Sequence, residues 1–390
     1  MWPNSSRQIL KVVAAVGLGL LSSQQTVFPR SPQDEAATIP EGLEQAVENI
    51  RQSHALDTRV EIFEVHLSRV GNQVTVRGEL TDRSLRGVLL DALHEAAGEL
   101  SIVDSIQVLP AADLQPSVYG IVSVSVANMR KTPSHHSELV NQAILGTVIK
   151  LYKYEDGFYY GQNRDRYLGW ISSAQMLEVD SLAVLEWQQS QRVVYTANYG
   201  LVRDQAKGKG NIIADLVPGA VLKKVGRAGK WMRVAMPDGK IGYVERRSVV
   251  DEAEFGGIPT KRDRLISIAK SYLGIPYLWG GTSTKGFDCS GFVQTACRMN
   301  NIDLPRDASQ QVQVGEPVEP GEHFENVIPG DLLFFGRSPE KISHVGIYLG
   351  DYHFIHSSGW VHINSLNPEN ELYNAYRHRT FQVVRRIHPE

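Results

Sequence analysis

The stretch Phe287-Asp288-Cys289-Ser290-Gly291 decides how the carboxyl-terminal part of this chain folds. Apolar residues follow it at positions 292, 293, 296 and 297, which is the spacing of one face of an amphipathic helix. Asp288 is therefore predicted to cap this helix, and Cys289 to occupy its first position. Unpaired N–H groups and the positive end of the helix dipole favour a thiolate there. The alternative is that Cys289 is a small buried apolar residue, as most free cysteines are.

Three short strands predicted downstream supply two histidines that could act together with this cysteine. The strands are predicted over residues 330–335, 343–350 and 352–357. His344 lies where the second strand begins, and His356 lies in the third strand. A cysteine at a helix start, a histidine on a facing strand and a second polar residue one strand over can serve as nucleophile, base and orienting group.

Composition limits the classes of function. A chain of 390 residues is long enough for two to four domains, and a net charge of -3 argues against binding of nucleic acid or of an acidic membrane surface. Cys289 and Cys297 would lie about 12 Å apart along one helix, so we expect both to be reduced. Cys289, His344 and His356 could in principle ligate zinc, but their spacing lacks a short paired ligand motif. We therefore predict no metal and no cofactor.

Residues 1–30 have the pattern of an export signal. Arg7 and Lys11 precede a short apolar core, Val12 to Leu21, which is followed by polar residues. This core is short for a membrane span and is typical of a signal peptide. We therefore predict an exported protein of the periplasm or cell envelope, in which the segment is either cleaved or retained as an anchor. A disordered tail would not explain the apolar core.

The segment 41–112 is predicted to form a small α-β-β-α-β unit. A helix around residues 43–50 precedes a hairpin over 60–70 and 73–80, with its turn at Gly71-Asn72. A second amphipathic helix over 84–97 and a strand over 102–109 complete the unit. No catalytic constellation is visible in this segment.

Two repeats of similar length follow, at residues 117–180 and 192–250. Both contain short alternating strands separated by closely spaced turn residues, which is typical of a small β-barrel. The connector between them is predicted to be a short helix or an ordered strap.

Six motifs in residues 260–388 resemble the NlpC/P60 family of cysteine peptidases. In chain order they are Pro276-Tyr277-Leu278-Trp279-Gly280-Gly281, Phe287-Asp288-Cys289-Ser290-Gly291, Leu304-Pro305-Arg306-Asp307-Ala308-Ser309-Gln310-Gln311, Pro329-Gly330-Asp331-Leu332, Ser343-His344-Val345-Gly346-Ile347-Tyr348 and Phe354-Ile355-His356-Ser357-Ser358. The resemblance implies a papain-like fold, with Cys289 as nucleophile, His344 as general base and His356 orienting His344. It also implies that Tyr277 lies beside the oxyanion site.

The segments before this domain carry resemblances of their own. The two repeats resemble bacterial SH3 modules, and the first unit, through Val74-Thr75-Val76-Arg77-Gly78-Glu79-Leu80, resembles a BON domain. BON domains are associated with envelope attachment, although a plain structural spacer is the alternative. The expected fold class is thus α+β, a papain-like domain preceded by two SH3-like β-barrels and a small α-β-β-α-β domain.

The combination of SH3 modules with this catalytic domain is similar to γ-D-glutamyl-L-diamino-acid endopeptidases. The resemblance implies hydrolysis of peptidoglycan stem peptides that have a free amino-terminal L-Ala, with release of L-Ala-D-Glu. It implies that Glu138 pairs with the substrate's α-amine and that Tyr167 and Asp307 line the same end of the site. The remaining residues expected to bind substrate are Trp279, Asp288 and Ser290. One departure concerns Asp165-Arg166-Tyr167, since related modules often have glycine at the middle position.

Other functions fit parts of the same pattern. An amidase or acyltransferase of the same superfamily would keep the fold and change the acceptor. A wall-binding protein without activity would use its SH3 modules alone, but loss of function would be expected to remove one of Cys289, His344 and His356. Glu138 has the alternative of being an ordinary solvated charge. We expect a monomer whose partners are stem peptides and, through the amino-terminal domain, the envelope.

Overall fold

A computed structural model describes residues 38–54 and 56–387. The predicted export signal, residues 1–30, lies outside the described residues. Among the helices of the described part, none is long and apolar enough to cross a membrane. The chain is a mixed α/β protein in which each of the predicted units contributes its own sheet.

The amino-terminal unit has the predicted order α-β-β-α-β. Its elements are α1 (Glu41–Ser53), β1 (Phe63–Val70), β2 (Gln73–Leu80), α2 (Arg83–Ala96) and β3 (Ser101–Val108). β1 and β2 form the expected hairpin, and its turn uses Gly71 at a φ of 58°. β3 lies parallel to β2, and both helices cover one face of the sheet with Leu43, Leu89 and Leu93 fully buried.

The two repeats fold into seven-stranded sheets of the same topology. The first contains β4 (Tyr119–Val122), β5 (Val126–Arg130), β6 (Leu139–Ile144), β7 (Val148–Glu155), β8 (Phe158–Gln162), β9 (Leu168–Ser172) and β10 (Met176–Val179). The second contains β11 (Arg192–Tyr195), β12 (Gly200–Arg203), β13 (Ile212–Leu216), β14 (Val221–Ala228), β15 (Trp231–Ala235), β16 (Ile241–Glu245) and β17 (Val249–Asp251). The strand orders β10-β4-β7-β8-β9-β5-β6 and β17-β11-β14-β15-β16-β12-β13 match strand for strand.

The connector between the modules is the short helix α3 (Ser181–Gln189), as predicted. Asp180 caps it by accepting a hydrogen bond from the Ala183 N–H at 2.8 Å. Trp187 is buried and donates from Nε1 to the Gly146 carbonyl at 3.1 Å. This indole therefore holds the helix against the first module.

The carboxyl-terminal domain packs three of its helices against one face of a six-stranded sheet. Its elements are α4 (Glu252–Gly256), α5 (Arg262–Ser271), β18 (Thr282–Ser283), β19 (Gly286–Phe287), α6 (Cys289–Arg298), α7 (Ala308–Gln311), β20 (Glu316–Val318), β21 (Leu332–Gly336), β22 (Ile342–Gly350), β23 (His353–Ser358), β24 (Trp360–Ser365), α8 (Ala375–Thr380) and β25 (Phe381–Arg386). The strand order of the sheet is β20-β25-β21-β22-β23-β24, and the three helices packed against it are α5, α6 and α7. The predicted strands 330–335, 343–350 and 352–357 correspond to β21, β22 and β23.

Packing of α6 onto β22 and β23 fixes the position of its first turn. The predicted apolar face is fully buried, with Phe292, Val293, Ala296 and Cys297 at zero exposure. Burial of Phe292 and Val293 contributes about 1.5–3 kcal/mol each. Both cysteines are free, as expected. The helix therefore cannot rotate without exposing its core face, and Cys289 is held at the end nearest the two histidine strands.

Candidate active site

Cys289 is the first residue of α6, as the sequence predicted. The Asp288 side chain caps the helix by accepting a hydrogen bond from the Gly291 N–H at 2.7 Å. The second Asp288 oxygen accepts from the Gly280 N–H at 3.0 Å. Because the N–H of a first helical residue has no intrahelical partner, the backbone N–H of Cys289 is available to a ligand. This arrangement suits stabilisation of an oxyanion next to a thiol.

The carboxylate of Asp288 is also tied to a buried arginine. Arg306 is 1% exposed and forms a two-point ion pair with Asp288, and it donates to Ser290 Oγ at 3.0 Å. Asp288 and Ser290 line the cavity, yet both side chains already have these internal partners. We interpret them as groups that hold the nucleophile's helix in place, and their predicted contacts with substrate remain predictions.

The two histidines form a hydrogen-bonded chain behind Cys289. His344 Nε2 lies 2.8 Å from His356 Nδ1, and His356 Nε2 lies 3.0 Å from Asn364 Oδ1. His344 lines the cavity together with Cys289, whose Sγ is 3.9 Å from the Ser343 carbonyl oxygen. His356 is fully buried and does not line the cavity. This placement gives His356 the predicted orienting position.

The helix cap of α8 fixes the direction of every hydrogen bond in this chain. The Arg377 N–H donates to Asn374 Oδ1 at 3.0 Å, so Asn374 Nδ2 must be the group that donates to Asn364 Oδ1 at 2.9 Å. Asn364 Oδ1 is then an acceptor, and His356 carries its proton on Nε2. His356 Nδ1 in turn accepts from His344 Nε2–H. The remaining nitrogen of His344, Nδ1, keeps its lone pair and can act as the base.

Burial acts against charge on both reacting groups. It raises the pKa of Cys289 to about 11, with a further contribution from Asp288 that Arg306 and the N–H groups of Ser290 and Val345 oppose. Burial and the positive charge of Arg377 lower the pKa of His344 well below its ordinary value. The free protein therefore favours a neutral thiol and a neutral imidazole, instead of the thiolate expected from the helix position alone. Proton transfer from Cys289 to His344 must then accompany attack on the substrate.

A cavity of about 610 Å³ collects the other predicted site residues. It is lined by Cys289 and His344 and by all the residues predicted to contact substrate, namely Glu138, Tyr167, Tyr277, Trp279, Asp288, Ser290 and Asp307. Burial, together with the charges of Cys289 and Asp288 when ionised, raises the pKa of Tyr277 to about 12. The Tyr277 hydroxyl therefore stays protonated and can donate a hydrogen bond.

Glu138 reaches the cavity from the first SH3-like module. Its Oε1 accepts a hydrogen bond from Trp279 Nε1 at 2.9 Å, and its Oε2 lies 3.5 Å from Lys131 Nζ. Its side chain is 44% exposed, so the carboxylate is only partly buried in the free protein, and its predicted pairing with the substrate's amine remains a prediction. Through the hydrogen bond from Trp279, the catalytic domain orients Glu138.

Asp307 is held by residues from two other parts of the chain. Its Oδ2 accepts hydrogen bonds from Tyr167 Oη at 3.3 Å and from Arg59 Nη1 at 2.9 Å. Arg59 belongs to the loop between α1 and β1, and it also binds Asp57 through Nε at 2.8 Å and Nη2 at 2.7 Å. Gln310 donates to the same Asp57 carboxylate at 2.8 Å. The carboxylates of Asp57 and Asp307 and the guanidinium of Arg59 together carry one net negative charge.

The segment Asp165-Arg166-Tyr167 keeps its loop without the glycine of related modules. Arg166 adopts the left-handed conformation, with a φ of 66°, in which glycine is favoured. Two contacts support this conformation. The Arg166 side chain forms a salt bridge of 2.9 Å with Glu61, and the Arg166 N–H donates to the Asn163 carbonyl and closes a turn. The amino-terminal unit therefore helps to hold the backbone that positions Tyr167.

Four charged or polar residues of the site had no role in the sequence-based prediction. Arg306 was inside a recognised motif, next to Asp307, and its burial was the missing information. Asn364 lies on the strand after that of His356, two residues beyond His362, which the sheet register places opposite His356. Arg59 and Arg377 lie in a loop and a short helix with no motif, so no local pattern indicated them.

Comparisons with known protein families agree with this geometry. The profile of the NlpC/P60 family matches residues 274–386, a bacterial dipeptidyl-peptidase SH3 domain matches residues 129–176, and a BON-like domain matches residues 65–110. The predicted resemblances of these three segments are confirmed.

Curated relatives support the same assignment. A dipeptidyl-peptidase 6 of Lysinibacillus sphaericus is 29% identical over 269 residues, covering 65% of this chain and 93% of the relative. A probable endopeptidase of Haemophilus influenzae is 41% identical over 121 residues, covering 30% of this chain and 68% of the relative. A γ-D-glutamyl-L-lysine dipeptidyl-peptidase of Bacillus cereus is 39% identical over 128 residues, covering 32% of this chain and 37% of the relative.

Solved structures share the fold. An NlpC/P60 family protein from Bacillus cereus has a TM-score of 0.61 at 23% identity, covering 70% of this chain and all of that chain. An NlpC/P60 endopeptidase from Photobacterium damselae has a TM-score of 0.53 at 15% identity, covering 91% of this chain and 86% of that one.

Proposed function

This chain belongs to the NlpC/P60 family, and from that premise we propose that it is a cysteine endopeptidase of cell-wall stem peptides. The bond that we propose it cleaves joins the side-chain carboxyl of D-glutamate to the diamino acid. The substrate has a free amino-terminal L-Ala, and one product is L-Ala-D-Glu. The family and the peptidase relatives support a cell-wall endopeptidase, and the bond and the free amine are the finer parts of the proposal.

The observation that carries this proposal is the distribution of charge around Cys289. A thiol at a helix amino terminus faces a cavity in which two carboxylates, Glu138 and Asp307, lie at one end. A peptide that enters with its ammonium group against these carboxylates would meet compensating charge. A peptide with a blocked amine would lose the charge-assisted contacts of its ammonium group with this end, at a cost of about 1–3 kcal/mol.

The reaction follows from the hydrogen-bond chain of the site. As the Sγ of Cys289 attacks the amide carbon, its proton passes to Nδ1 of His344, whose other nitrogen is held by His356. The carbonyl oxygen becomes an oxyanion, which the backbone N–H of Cys289 and the hydroxyl of Tyr277 would stabilise. His344 then gives the proton to the leaving amine, which departs and leaves a thioester. A water molecule, deprotonated by His344, hydrolyses the thioester and regenerates Cys289.

We also propose that the protein acts outside the cytoplasmic membrane. The support is the basic and apolar pattern of residues 1–30 and the location of stem peptides in the cell wall. The amino-terminal unit, a BON-like domain, supports a contact with the envelope. Through Arg59, which binds Asp307, this domain also contacts the catalytic domain. We propose that the protein is active as a monomer.

The experiment that tests the function uses the full chain and a defined tripeptide. L-Ala-γ-D-Glu-diaminopimelate and its N-acetylated copy are incubated with the protein, and the products are identified by mass spectrometry. Cys289→Ala is the control for the nucleophile. We expect L-Ala-D-Glu from the free peptide, release of N-acetyl-L-Ala-D-Glu from the acetylated copy slower by about 10-fold or more, and no product from Cys289→Ala.

Other outcomes separate the parts of the proposal. Equal cleavage of both peptides would retain the peptidase and reject recognition of the free amine. Cleavage by Cys289→Ala would reject the nucleophile. Release of peptide joined to an added amine, in preference to hydrolysis, would indicate an acyltransferase.

A further inference from the structure

A second groove continues from the cavity at the side of Cys289 where Ser343 lies. It has a volume of about 660 Å³ and shares four lining residues with the cavity, Ile342, Ser343, Tyr376 and Arg377. It contains none of the residues of the carboxylate end, Glu138, Tyr167 and Asp307. The cavity and the groove meet at Ser343, whose carbonyl oxygen lies 3.9 Å from Cys289 Sγ. A substrate with its amine at Glu138 and Asp307 would therefore direct its leaving segment into this groove.

The charges of the groove are all positive. Arg337, Lys341, Arg377 and Arg379 line it, and no carboxylate does. Within the described residues, no salt bridge is formed by any of these four side chains. The acid in the same turn, Glu340, is fully exposed and hydrogen-bonded to Ser338. The groove therefore has positive charge with no internal counter-charge.

Arg377 is the cation nearest to the chemistry. It is partly buried, it lines both the cavity and the groove, and its guanidinium lies 5.8 Å from the ring centre of Phe335 and 5.3 Å from that of Tyr376. Burial lowers the pKa of Arg377, with Cys289 acting in the opposite direction. The aromatic rings hold the guanidinium plane in position, and a carboxylate of a ligand would supply the missing partner with two-point geometry.

We propose that this groove binds the carboxylates of the leaving segment, and so selects a diamino acid with a carboxylate on its side chain. This inference rests on the proposed function. Diaminopimelate ends in a carboxylate and an ammonium group, whereas lysine ends in an ammonium group alone. Four cations without a carboxylate among the lining residues attract the first and repel the second.

Binding to the full-length Cys289→Ala protein tests the groove without requiring turnover. Calorimetry would compare L-Ala-γ-D-Glu-diaminopimelate with the same peptide amidated at the side-chain carboxylate, and with the lysine peptide. We expect the free carboxylate to bind about 10-fold more tightly than either, because one half-buried and several exposed charge pairs are lost in the others. Equal dissociation constants for the three peptides would overturn the proposal.

Variants then locate the effect. Arg337→Gln combined with Arg377→Gln and Arg379→Gln is expected to remove most of the preference for the free carboxylate and to leave binding of the lysine peptide within about two-fold. Lys270→Gln, an exposed charge on α5 outside the groove, is the matched control and should change neither. A preference that survives in the triple variant would place carboxylate recognition elsewhere and overturn the proposal.

The same peptides keep this inference separate from the proposed function. Cleavage of all three by the wild-type protein at equal kcat/KM, with equal binding, would reject the groove and retain the endopeptidase. Tighter binding of the free carboxylate with no cleavage of any peptide would retain the groove and reject the endopeptidase.

Discussion

The two ends of the cavity are built in opposite ways. The carboxylate end takes Glu138 and Tyr167 from the first SH3-like module, Asp307 from the catalytic domain and Arg59 from the amino-terminal unit, and its charges have internal partners. The basic end comes from the catalytic domain alone, from the β21–β22 turn and α8, and its cations have no salt-bridge partner in the described residues. One end is positioned before substrate arrives, and the other offers charge that a ligand must complete.

This difference indicates that recognition of the substrate's amine should change little with ionic strength, whereas recognition of the leaving segment should depend on it. Asp307 cannot move without disturbing Arg59, Tyr167 and the segments that carry them. Arg337, Lys341 and Arg379 are exposed side chains whose interactions with a ligand are screened by salt. We therefore expect the free amine to be recognised sharply, and the leaving segment more weakly and more variably.

Asn364→Asp should have the largest effect on kcat. The effect should be the same whichever end of the substrate is altered, because it acts on the base and not on substrate recognition. A carboxylate at this position would favour a doubly protonated His356, whose Nδ1–H would donate to His344 and place the proton of His344 on Nδ1. His344 then could not accept the proton of Cys289, and we expect kcat to fall about 100-fold at neutral pH for every peptide. Rates of hydrolysis measured against pH check this.

The direction of the pH dependence separates a tautomer effect from simple misfolding. Burial holds the pKa of wild-type His356 at about 3 and that of His344 well below its ordinary value, so wild-type activity should persist below pH 6. The Asn364→Asp variant should recover as pH rises through the increased pKa of His356. A uniform loss at all pH values, with Asn364→Gln behaving alike, would contradict the tautomer chain.

Asp307→Asn should affect the carboxylate end alone. The ammonium group of the substrate loses one charged partner, so we expect kcat/KM for the free-amine peptide to fall about 10-fold to 100-fold. The N-acetylated peptide, which never had that ion pair, should be cleaved as slowly as by the wild type. Kinetics with both peptides check the prediction, and an equal loss on both would mean that Asp307 acts on the fold.

Arg59→Gln should have a smaller effect at the same end. The guanidinium fixes Asp307 Oδ2, and its loss leaves the carboxylate negative but less well positioned. We expect KM for the free-amine peptide to rise about 3-fold to 10-fold with little change in kcat. Arg59→Lys should recover part of the effect, and Arg69→Gln, an arginine of β1 distant from the catalytic domain's contacts, is the control. An unchanged KM would mean that Arg59 joins the amino-terminal unit to the catalytic domain without positioning Asp307 for the substrate.

The smallest expected effect is that of salt, which should weaken recognition at the basic end more than recognition at the carboxylate end. Raising ionic strength from about 0.05 M to 0.5 M should lower the preference for a free side-chain carboxylate about 2-fold to 3-fold, because the cations that bind it are exposed. The preference for the free amine should change less, since Asp307 and Tyr167 are partly buried. Ratios of kcat/KM at the two salt concentrations check this, and a larger change at the amine would contradict the comparison.

The sequence predicted the elements of the fold and the catalytic residues because these depend on local pattern. The apolar face of α6 placed Cys289 at a helix start, and strand alternation placed His344 and His356 on adjacent strands. Burial was not predictable in the same way. Asp288 was expected to bind substrate, but no pattern indicated its ion pair with the buried Arg306. The half exposure of Glu138 was not indicated either.

The missing parts of the site depend on how distant segments meet. Arg59 and Asp307 are separated by 248 residues, and no periodicity of either segment indicates that they touch. Asn364 and Asn374 determine the proton on His344 through a helix cap ten residues away from Asn364. Arg377 gains its position from the rings of Phe335 and Tyr376. Such contacts follow from tertiary packing, which a local sequence pattern does not encode.

The most direct test measures kcat/KM of the wild-type protein on four tripeptides. The amino terminus is free or acetylated, and the side-chain carboxylate of the diaminopimelate is free or amidated. We predict loss of about 10-fold or more on acetylation and a smaller, independent loss on amidation, so that the doubly blocked peptide shows the product of the two. Equal kcat/KM for all four peptides would contradict a site that recognises an ammonium group on one side of Cys289 and a carboxylate on the other.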